Sequence, residues 1–150
     1  MQRVAILGSG GAGKSVLAAT IAERTGLPVI QLDAVYWQPG WTKPPRDEFD
    51  AKLDAAVAGE RWILDGNFLR DDRADPRFAR SDTVIFLDLP RRDLPDGCTE
   101  SFDLEFTRWV WNYPVKNRPD ILERMGALGP GVDVHRLRSQ RDVDRFLESF

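Results

Sequence analysis

The sequence predicts an α/β protein built on a five-stranded parallel sheet with helices on both faces. Five short apolar runs recur along the 150 residues, and helical patterns separate them. Strands that alternate with helices form parallel sheets with right-handed crossovers. Continuously apolar strands are typical of a sheet that is covered on both faces. A chain of this length suits one core, so we expect a single domain over residues 1–150.

The first strand and helix flank a glycine-rich motif. Val4–Leu7 is an apolar run that predicts a buried strand. Lys14–Thr25 has apolar residues at helical spacing, and Gly26 follows as a stop signal. The segment between them matches the P-loop pattern G-x-x-x-x-G-K-[ST] without a mismatch and reads Gly8, Ser9, Gly10, Gly11, Ala12, Gly13, Lys14, Ser15.

The motif predicts a nucleotide-phosphate site. Successive N–H groups of such a loop surround phosphate oxygens, and the helix N-terminus adds partial positive charge. Lys14 is therefore expected along the β- and γ-phosphates, and the Ser15 hydroxyl is expected to ligate Mg²⁺. The alternative is a glycine-rich turn between a strand and a helix that binds nothing.

The second strand is expected at Leu27–Leu32 and leads into Asp33. Because ligands bind outside the carboxyl ends of strands in such sheets, Asp33 is predicted at the active edge. There it would hold Mg²⁺ through water or accept a proton from a substrate hydroxyl. The alternative is that it caps a turn. Three aromatic residues follow Asp33: Tyr36, Trp37 and Trp41. They either form a wall on which a ring of the ligand stacks or fill the core.

The third strand, Arg61–Leu64, follows a helix that begins at Arg46 and ends near Gly59. It leads into Asp65 and Gly66. An acidic residue after an apolar strand is typical of an aspartate that orders water on Mg²⁺, although strand ends also carry aspartate in turns. We predict Asp65 as a partner of Ser15 at the metal, and we expect Gly66 to leave space for a substrate.

The second half of the chain completes the alternation. Phe68–Asp82 is interpreted as a solvated loop with compensating charges, and the alternative is that Arg70 or Arg73 reaches an acceptor phosphate. The remaining elements are a fourth strand at Thr83–Asp88, a helix at Ser101–Tyr113 that Pro114 interrupts, a second helical piece at Asp120–Met125, a fifth strand at Val132–Leu137 and a last helix capped by Ser139.

Composition and charge narrow the functional classes. Apolar content of 42% and charged content of 30% are typical of a globular protein. A net charge of −3 argues against binding to nucleic acid by bulk charge, so direct nucleic-acid binding is not expected. The single cysteine, Cys98, excludes an internal disulfide. With no signal-like N-terminus and no membrane-length apolar run, we expect a cytoplasmic protein, either monomer or homodimer.

Five segments together resemble a family. They are the P-loop and the runs Leu32–Trp41, Trp62–Asn67, Phe86–Pro90 and Arg108–Pro114. In these segments the chain resembles the small adenylate-kinase-like ATPases called DNA topology modulation proteins. The P-loop is shared by many families, whereas the aspartate–aromatic and Trp-Asn-Tyr-Pro segments are more specific. The resemblance covers nearly the whole chain.

The resemblance implies a three-layer P-loop NTPase fold of nucleoside-kinase type with strand order 2-3-1-4-5. It implies ATP or GTP with Mg²⁺ at Lys14 and Ser15. It also implies an acceptor site at Asp33 and around the segment of Asp65, Gly66 and Asn67. In such kinases arginines near the lid neutralise the transferring phosphoryl group, and Arg108 and Arg118 match arginine positions of the family.

The chain departs from the family after Arg91. The family usually continues there with a basic helical stretch that leads into a lid, whereas here Arg91-Arg92 passes directly into Asp93–Cys98. Either the chain has a real deletion or a lid segment is missing from this sequence. The lid region around 91–118 is therefore predicted to be short or missing.

The expected function is Mg²⁺-dependent binding of a nucleoside triphosphate and phosphoryl transfer to a small-molecule acceptor. Asp33 would orient or deprotonate the acceptor hydroxyl, and the acceptor is left open among nucleosides, nucleotides and sugar-like compounds. The alternative is a nucleotide-binding regulatory ATPase that acts through a protein or nucleic-acid partner.

Overall fold

The computed structural model describes residues 1–36, 42, 44–67, 75–90 and 104–150, with side chains of the last range described from residue 112 onward. The strands are β1 (Arg3–Gly8), β2 (Val29–Gln31), β3 (Trp62–Asp65), β4 (Thr83–Leu87) and β5 (Asp133–Leu137). The helices are α1 (Lys14–Thr25), α2 (Leu32–Tyr36), α3 (Arg46–Ala56), α4 (Pro76–Arg80), α5 (Leu104–Gly126) and α6 (Gln140–Glu148).

The strands form one parallel sheet in the order β2-β3-β1-β4-β5, which confirms the predicted fold class and strand order. The central strand β1 pairs with β3 on one side and with β4 on the other. Ile6 is aligned with Asp65, and Gly8 is aligned with Leu87. The loop that follows β1 therefore leaves the sheet between the carboxyl ends of β3 and β4.

Two apolar cores cover the two faces of the sheet. Ala5 and Leu7 of β1 face a core that α2, α3, α4 and α5 complete. Val4 and Ile6, which alternate with them, face a core that α1 and α6 complete. The three predicted layers are thus present. Among the described residues, no helix has both the length and the apolar character that crossing a membrane requires.

The second strand is shorter than predicted, because Leu32 begins α2 instead of ending β2. The strand β2 pairs only with β3, and Gln31 is aligned with Asp65, the last residue of β3. The pairing of β2 with β3 ends at Gln31, and the chain continues directly into α2. Asp33 consequently lies in the first turn of α2.

The predicted solvated loop contains a short helix, α4, and two buried charges. Asp75 caps this helix by accepting a hydrogen bond from the Arg77 backbone N–H at 3.0 Å, and Pro76 occupies the first helical turn. Asp75 and Arg77 are buried, so the prediction that these charges are solvated is wrong for both. Arg70 and Arg73 lie outside the described residues.

The helix α5 is continuous, and the predicted interruption at Pro114 is wrong. A proline inside a helix removes a hydrogen bond and costs roughly 3 kcal/mol. The helix offsets this cost by burying Tyr113, Ile121 and Met125 in the core, while Pro114 is exposed. Residues 91–103, which include Cys98 and the first part of the predicted lid region, lie outside the described part of the chain.

Candidate functional site

The P-loop adopts backbone conformations that need glycine. Gly11 and Gly13 have φ angles of 73° and 83°, in the left-handed region where a side chain is strained. Helix α1 begins directly after Gly13, without a side-chain cap and without an acidic residue in its first turn. No residue of the first turn of α1 therefore carries a negative charge, and the partial positive charge of the helix N-terminus favours an anion at the loop.

Lys14 is folded back over this loop. Its Nζ atom donates a hydrogen bond to the carbonyl oxygen of Ser9 at 3.0 Å, and the side chain is half-buried. The ammonium group thus lies against the loop whose backbone is expected to bind phosphate oxygens. This placement agrees with the role predicted from the motif, which stays a prediction.

The two residues predicted at the metal are in direct contact. The Ser15 hydroxyl donates to Asp65 Oδ2 at 2.6 Å, which joins the first turn of α1 to the end of β3. Asp65 is only 6% exposed, and its Oδ1 atom is buried without a hydrogen-bond partner among the described residues. A buried oxygen with no partner is costly. A carboxylate and a hydroxyl are also the oxygen donors that suit Mg²⁺, so the residues fit this ion.

Asn67 anchors the start of the P-loop. Its Oδ1 atom accepts from the backbone N–H of Gly8 at 3.1 Å, and its Nδ2 atom donates to the carbonyl oxygen of Gly8. The amide is buried, so both backbone groups of Gly8 are satisfied away from water. Gly8 itself leaves little room, because a Cβ atom there would lie 3.0 Å from the Leu87 Cβ atom. The predicted contact of Asn67 with substrate stays a prediction.

The Cβ position of Gly66 faces a protein side chain, and the predicted approach of a substrate to this residue stays a prediction. Its φ angle is +147°, and a Cβ atom built on it would lie 2.6 Å from the Cβ atom of Leu32. Glycine is thus needed because a protein side chain packs against the backbone. The carbonyl oxygen of Gly66 accepts a hydrogen bond from Arg77 Nη1 at 2.9 Å.

Asp33 is exposed at the same edge of the sheet. It follows Gln31 by two positions, and Gln31 is aligned with Asp65. The predicted aromatic wall is described only at Tyr36. Its ring meets Phe49 edge-on with centroids 4.9 Å apart and packs on the core, which agrees with the core-filling alternative. Trp37 and Trp41 lie outside the described residues.

Arg118 is held by Asp88, a carboxylate for which the sequence motifs predicted no role. Arg118 Nε lies 2.7 Å from Asp88 Oδ1, and Arg136 Nη2 lies 2.6 Å from Asp88 Oδ2. Partial burial raises the pKa of Asp88, but bonds to both guanidinium groups outweigh it and leave that pKa below its ordinary value. Asp88 was detectable, because like Asp65 it follows an apolar strand. The side chain of Arg108 lies outside the described residues.

Among the described residues, no cluster of three or more histidine, cysteine or acidic side chains is suited to bind a metal by itself. The carboxylate–hydroxyl pair of Asp65 and Ser15 is a smaller donor set of the kind that Mg²⁺ shares with phosphates and water.

The chain matches no protein-family profile and no curated protein. It is similar to a solved sugar kinase from a Janibacter species, with a TM-score of 0.55 and 19% identity over 99% of this chain and 91% of that one. It is also similar to a shikimate kinase from Acinetobacter baumannii in complex with shikimate, with a TM-score of 0.63 and 15% identity over 99% and 90% of the two chains.

A shikimate kinase from Bacteroides thetaiotaomicron has a TM-score of 0.62 and 16% identity over 99% of this chain and 97% of that one. At such identities the likeness concerns the fold. The similar structures are P-loop kinases of the adenylate-kinase-like fold. The order of the strands, the P-loop between β1 and α1, and these structures together establish that this chain has the P-loop kinase fold.

Proposed function

We propose that this protein is a kinase-type phosphotransferase that binds a nucleoside triphosphate with Mg²⁺ and phosphorylates a hydroxyl group of a small molecule. The observation that carries the proposal is the contact between Ser15 and Asp65 beside the uncapped start of α1. At this place the N-terminus of α1, which suits an anion, lies beside a buried carboxylate oxygen, Asp65 Oδ1, that has no hydrogen-bond partner among the described residues. A simple glycine-rich turn requires neither.

The P-loop residues have separate tasks in this proposal. The backbone from Gly8 to Ser15 surrounds the phosphates, and Lys14 neutralises their charge. Ser15 and Asp65 would hold Mg²⁺, which supplies charge neutralisation at the phosphate oxygens when it is bound. Asn67 keeps the loop in place through its two bonds to Gly8. We propose ATP as the donor, with GTP as the second candidate.

Asp33 is the proposed acceptor-site residue. It is exposed at the carboxyl edge of the sheet, and Asp65 lies in the neighbouring strand. An exposed carboxylate at this edge suits a group that orients or deprotonates a hydroxyl. The solved structures named as sugar and shikimate kinases support an acceptor with hydroxyl groups. Arg118 and Arg108 are proposed to stabilise negative charge on the transferred group.

We propose that the chain is related to the DNA topology modulation proteins and that it does not act directly on DNA. The regulatory ATPase is the alternative. A large exposed apolar patch would favour it. The large apolar side chains with high exposure in the described part of the chain are on separate elements or at the two ends of the sequence: Val16 on α1, Val29 on β2, Val115 on α5, Val134 on β5, Met1 and Phe150. No observation among the described residues favours the alternative over the kinase.

The test is Mg²⁺-dependent release of ADP from ATP across a panel of acceptors. The panel contains shikimate, gluconate, simple sugars, nucleosides and nucleoside monophosphates. We expect one acceptor to stimulate turnover and Lys14→Ala to abolish it. Lys52→Ala is the matched control, because Lys52 lies on α3 in an exposed pair with Glu48.

Asp33→Asn tests the acceptor site in the same assay. We expect a loss of turnover of at least about 100-fold with the stimulating acceptor, in the range of general base catalysis. Asp47→Asn, an exposed aspartate in the first turn of α3, is its control. Tight ATP binding without stimulation by any acceptor would contradict the kinase function and favour the regulatory one.

A further inference from the structure

Arg77 is a buried charged residue that the proposed function does not use. The residue is 0% exposed, although it carries a guanidinium group. Its Nε atom lies 2.9 Å from Asp75 Oδ1, and its Nη2 atom lies 2.6 Å from Asp75 Oδ2. A buried ion pair gains little stability over apolar residues of similar volume, because both charges lose their hydration. Burial of this pair therefore suggests a role other than stability.

The third contact of Arg77 reaches the candidate site. Arg77 Nη1 donates to the carbonyl oxygen of Gly66 at 2.9 Å. Gly66 connects Asp65, which bonds Ser15, to Asn67, which bonds Gly8. The guanidinium group thus holds the peptide between the two residues that contact the P-loop and its helix.

The segment of residues 65–67 needs an external contact to fix its backbone, because glycine restrains the backbone poorly. Gly66 has no side chain of its own to anchor it, and its φ angle of +147° is one that other residues rarely adopt. Its N–H group donates to the Ile6 carbonyl oxygen at 3.3 Å, a long bond. The shorter bond from Arg77 is directed at the carbonyl oxygen, and Asp75 fixes the guanidinium plane from the other side.

We infer that Arg77 is a positioning residue: through the Gly66 carbonyl oxygen it keeps the Asp65 carboxylate where Ser15 and a nucleotide-bound Mg²⁺ require it. This inference rests on the proposed function. Arg77 is fully buried, and in this proposal it acts through the Gly66 carbonyl oxygen and not by binding phosphate or metal itself. Partners that orient metal ligands in this way change metal affinity or activity by about 10- to 100-fold when they are altered.

The test substitution is Arg77→Lys. Lysine keeps the positive charge beside Asp75, but its single ammonium group does not reproduce the fork that joins Asp75 to Gly66. The matched control is Arg80→Lys. Arg80 lies on the same helix, is exposed and also donates to a backbone carbonyl oxygen, that of Ala58, at 2.9 Å.

The readout is the affinity for ATP, measured by calorimetry once with excess Mg²⁺ and once with EDTA. Circular dichroism first confirms that each variant is folded. We expect Arg77→Lys to weaken binding by about 10-fold with Mg²⁺ and clearly less with EDTA, because Asp65 contributes to binding only through the metal. Arg80→Lys should match the wild type under both conditions.

A merely structural role predicts a different pattern. Arg77→Lys would then lower the melting temperature, and the folded protein would bind ATP as the wild type does, which would overturn the inference. An equal loss of affinity with and without Mg²⁺ would also overturn it, since the effect would not pass through Asp65. Should Arg77→Lys fail to fold, Asp75→Asn gives the same test, because it loosens the guanidinium group but keeps an N-cap on α4.

The wild type separates this inference from the proposed function. A wild-type protein that binds no ATP under either condition would contradict the proposed function itself. Wild-type binding that Mg²⁺ strengthens, together with an unchanged Mg²⁺ effect in Arg77→Lys, would leave the proposed function intact and reject the positioning role.

Discussion

The Ser15 hydroxyl donates to Asp65 Oδ2 over 2.6 Å, so the first turn of α1 and the last residue of β3 share one hydrogen bond at the edge of the sheet. The two residues are 50 positions apart in the chain. Their contact unites the P-loop with the neighbouring strand, and the second carboxylate oxygen stays buried without a hydrogen-bond partner in the described part of the chain.

We expect Asp65→Asn to remove most of the effect of Mg²⁺ on ATP affinity. Asparagine keeps the volume and can still bond Ser15, but it lacks the charge that a divalent cation prefers. The strengthening of ATP binding by Mg²⁺ should fall at least about 10-fold in calorimetric titrations. Asp144→Asn, on the exposed side of α6, is the control. A wild-type Mg²⁺ effect in Asp65→Asn would rule out a metal-binding role for this carboxylate.

Gly66→Ala should destabilise the fold. The new Cβ atom would lie 2.6 Å from the Leu32 Cβ atom, and the φ angle of +147° is strained for alanine. We expect the free energy of unfolding in urea to fall by about 1–3 kcal/mol.

The control for this change is Gly126→Ala. A Cβ atom at Gly126, the last residue of α5, meets nothing within 4 Å, so this variant should be neutral or slightly stabilising. If Gly66→Ala is as stable as Gly126→Ala, the described contact with Leu32 does not exist in solution.

Asn67→Ala should weaken both the fold and nucleotide binding. The substitution leaves the N–H and carbonyl groups of Gly8 buried without their partner, which costs roughly 1–3 kcal/mol. Because Gly8 begins the P-loop, ATP affinity measured at a temperature where the variant is folded should also fall. Asn117→Ala on α5 should change neither quantity. An unchanged ATP affinity in folded Asn67→Ala would show that the bonds between Asn67 and Gly8 do not contribute to nucleotide binding.

The stabilisation that Asp88 gains from Arg118 and Arg136 should be lost in acid. The pKa of Asp88 in the folded protein is below the ordinary value of 3.8, so its contribution is present above that value and is lost as the pH falls through the lowered pKa. At neutral pH we expect Asp88→Asn to lower the free energy of unfolding by about 1 kcal/mol, since both arginine partners are partly exposed.

Urea unfolding of the wild type and Asp88→Asn between neutral pH and about pH 3 checks this expectation. The difference between the two proteins should be constant from pH 7 to about pH 5 and should shrink below it. A difference that grows on acidification would mean that the Asp88 carboxylate is not held by Arg118 and Arg136 in the folded protein.

Much of the fold was predictable because it depends on local sequence patterns. The apolar runs and the helical spacing of Lys14–Thr25 depend on near neighbours, and so does the Ser139 cap, which the structure confirms at 3.2 Å from the Asp142 N–H group. The strand order followed from the family resemblance and is confirmed. The predicted break at Pro114 failed because burial of the α5 face outweighs the local preference of proline.

The candidate site was predictable only in part. Ser15 and Asp65 each had a local signal, a motif and an acidic residue after an apolar strand, and the sheet brings them together. Asp88 had the same kind of signal, but nothing in the sequence indicated that it binds two arginines from different elements. The roles of Arg108, Trp37 and Trp41 stay predictions.

The sequence by itself determined the P-loop, the alternation of strands and helices and the positions of the carboxylates along the chain, because these depend on residues close to one another. Only the tertiary structure decided that Gly66 makes room for Leu32, that Asp75 and Arg77 are buried together, and that Asp88 holds Arg118. The contacts of Gly66 with Leu32 and of Asp88 with Arg118 join residues from separate segments, and the burial of Asp75 and Arg77 depends on the elements that cover them. These features become known only when the sheet and its covering helices are assembled.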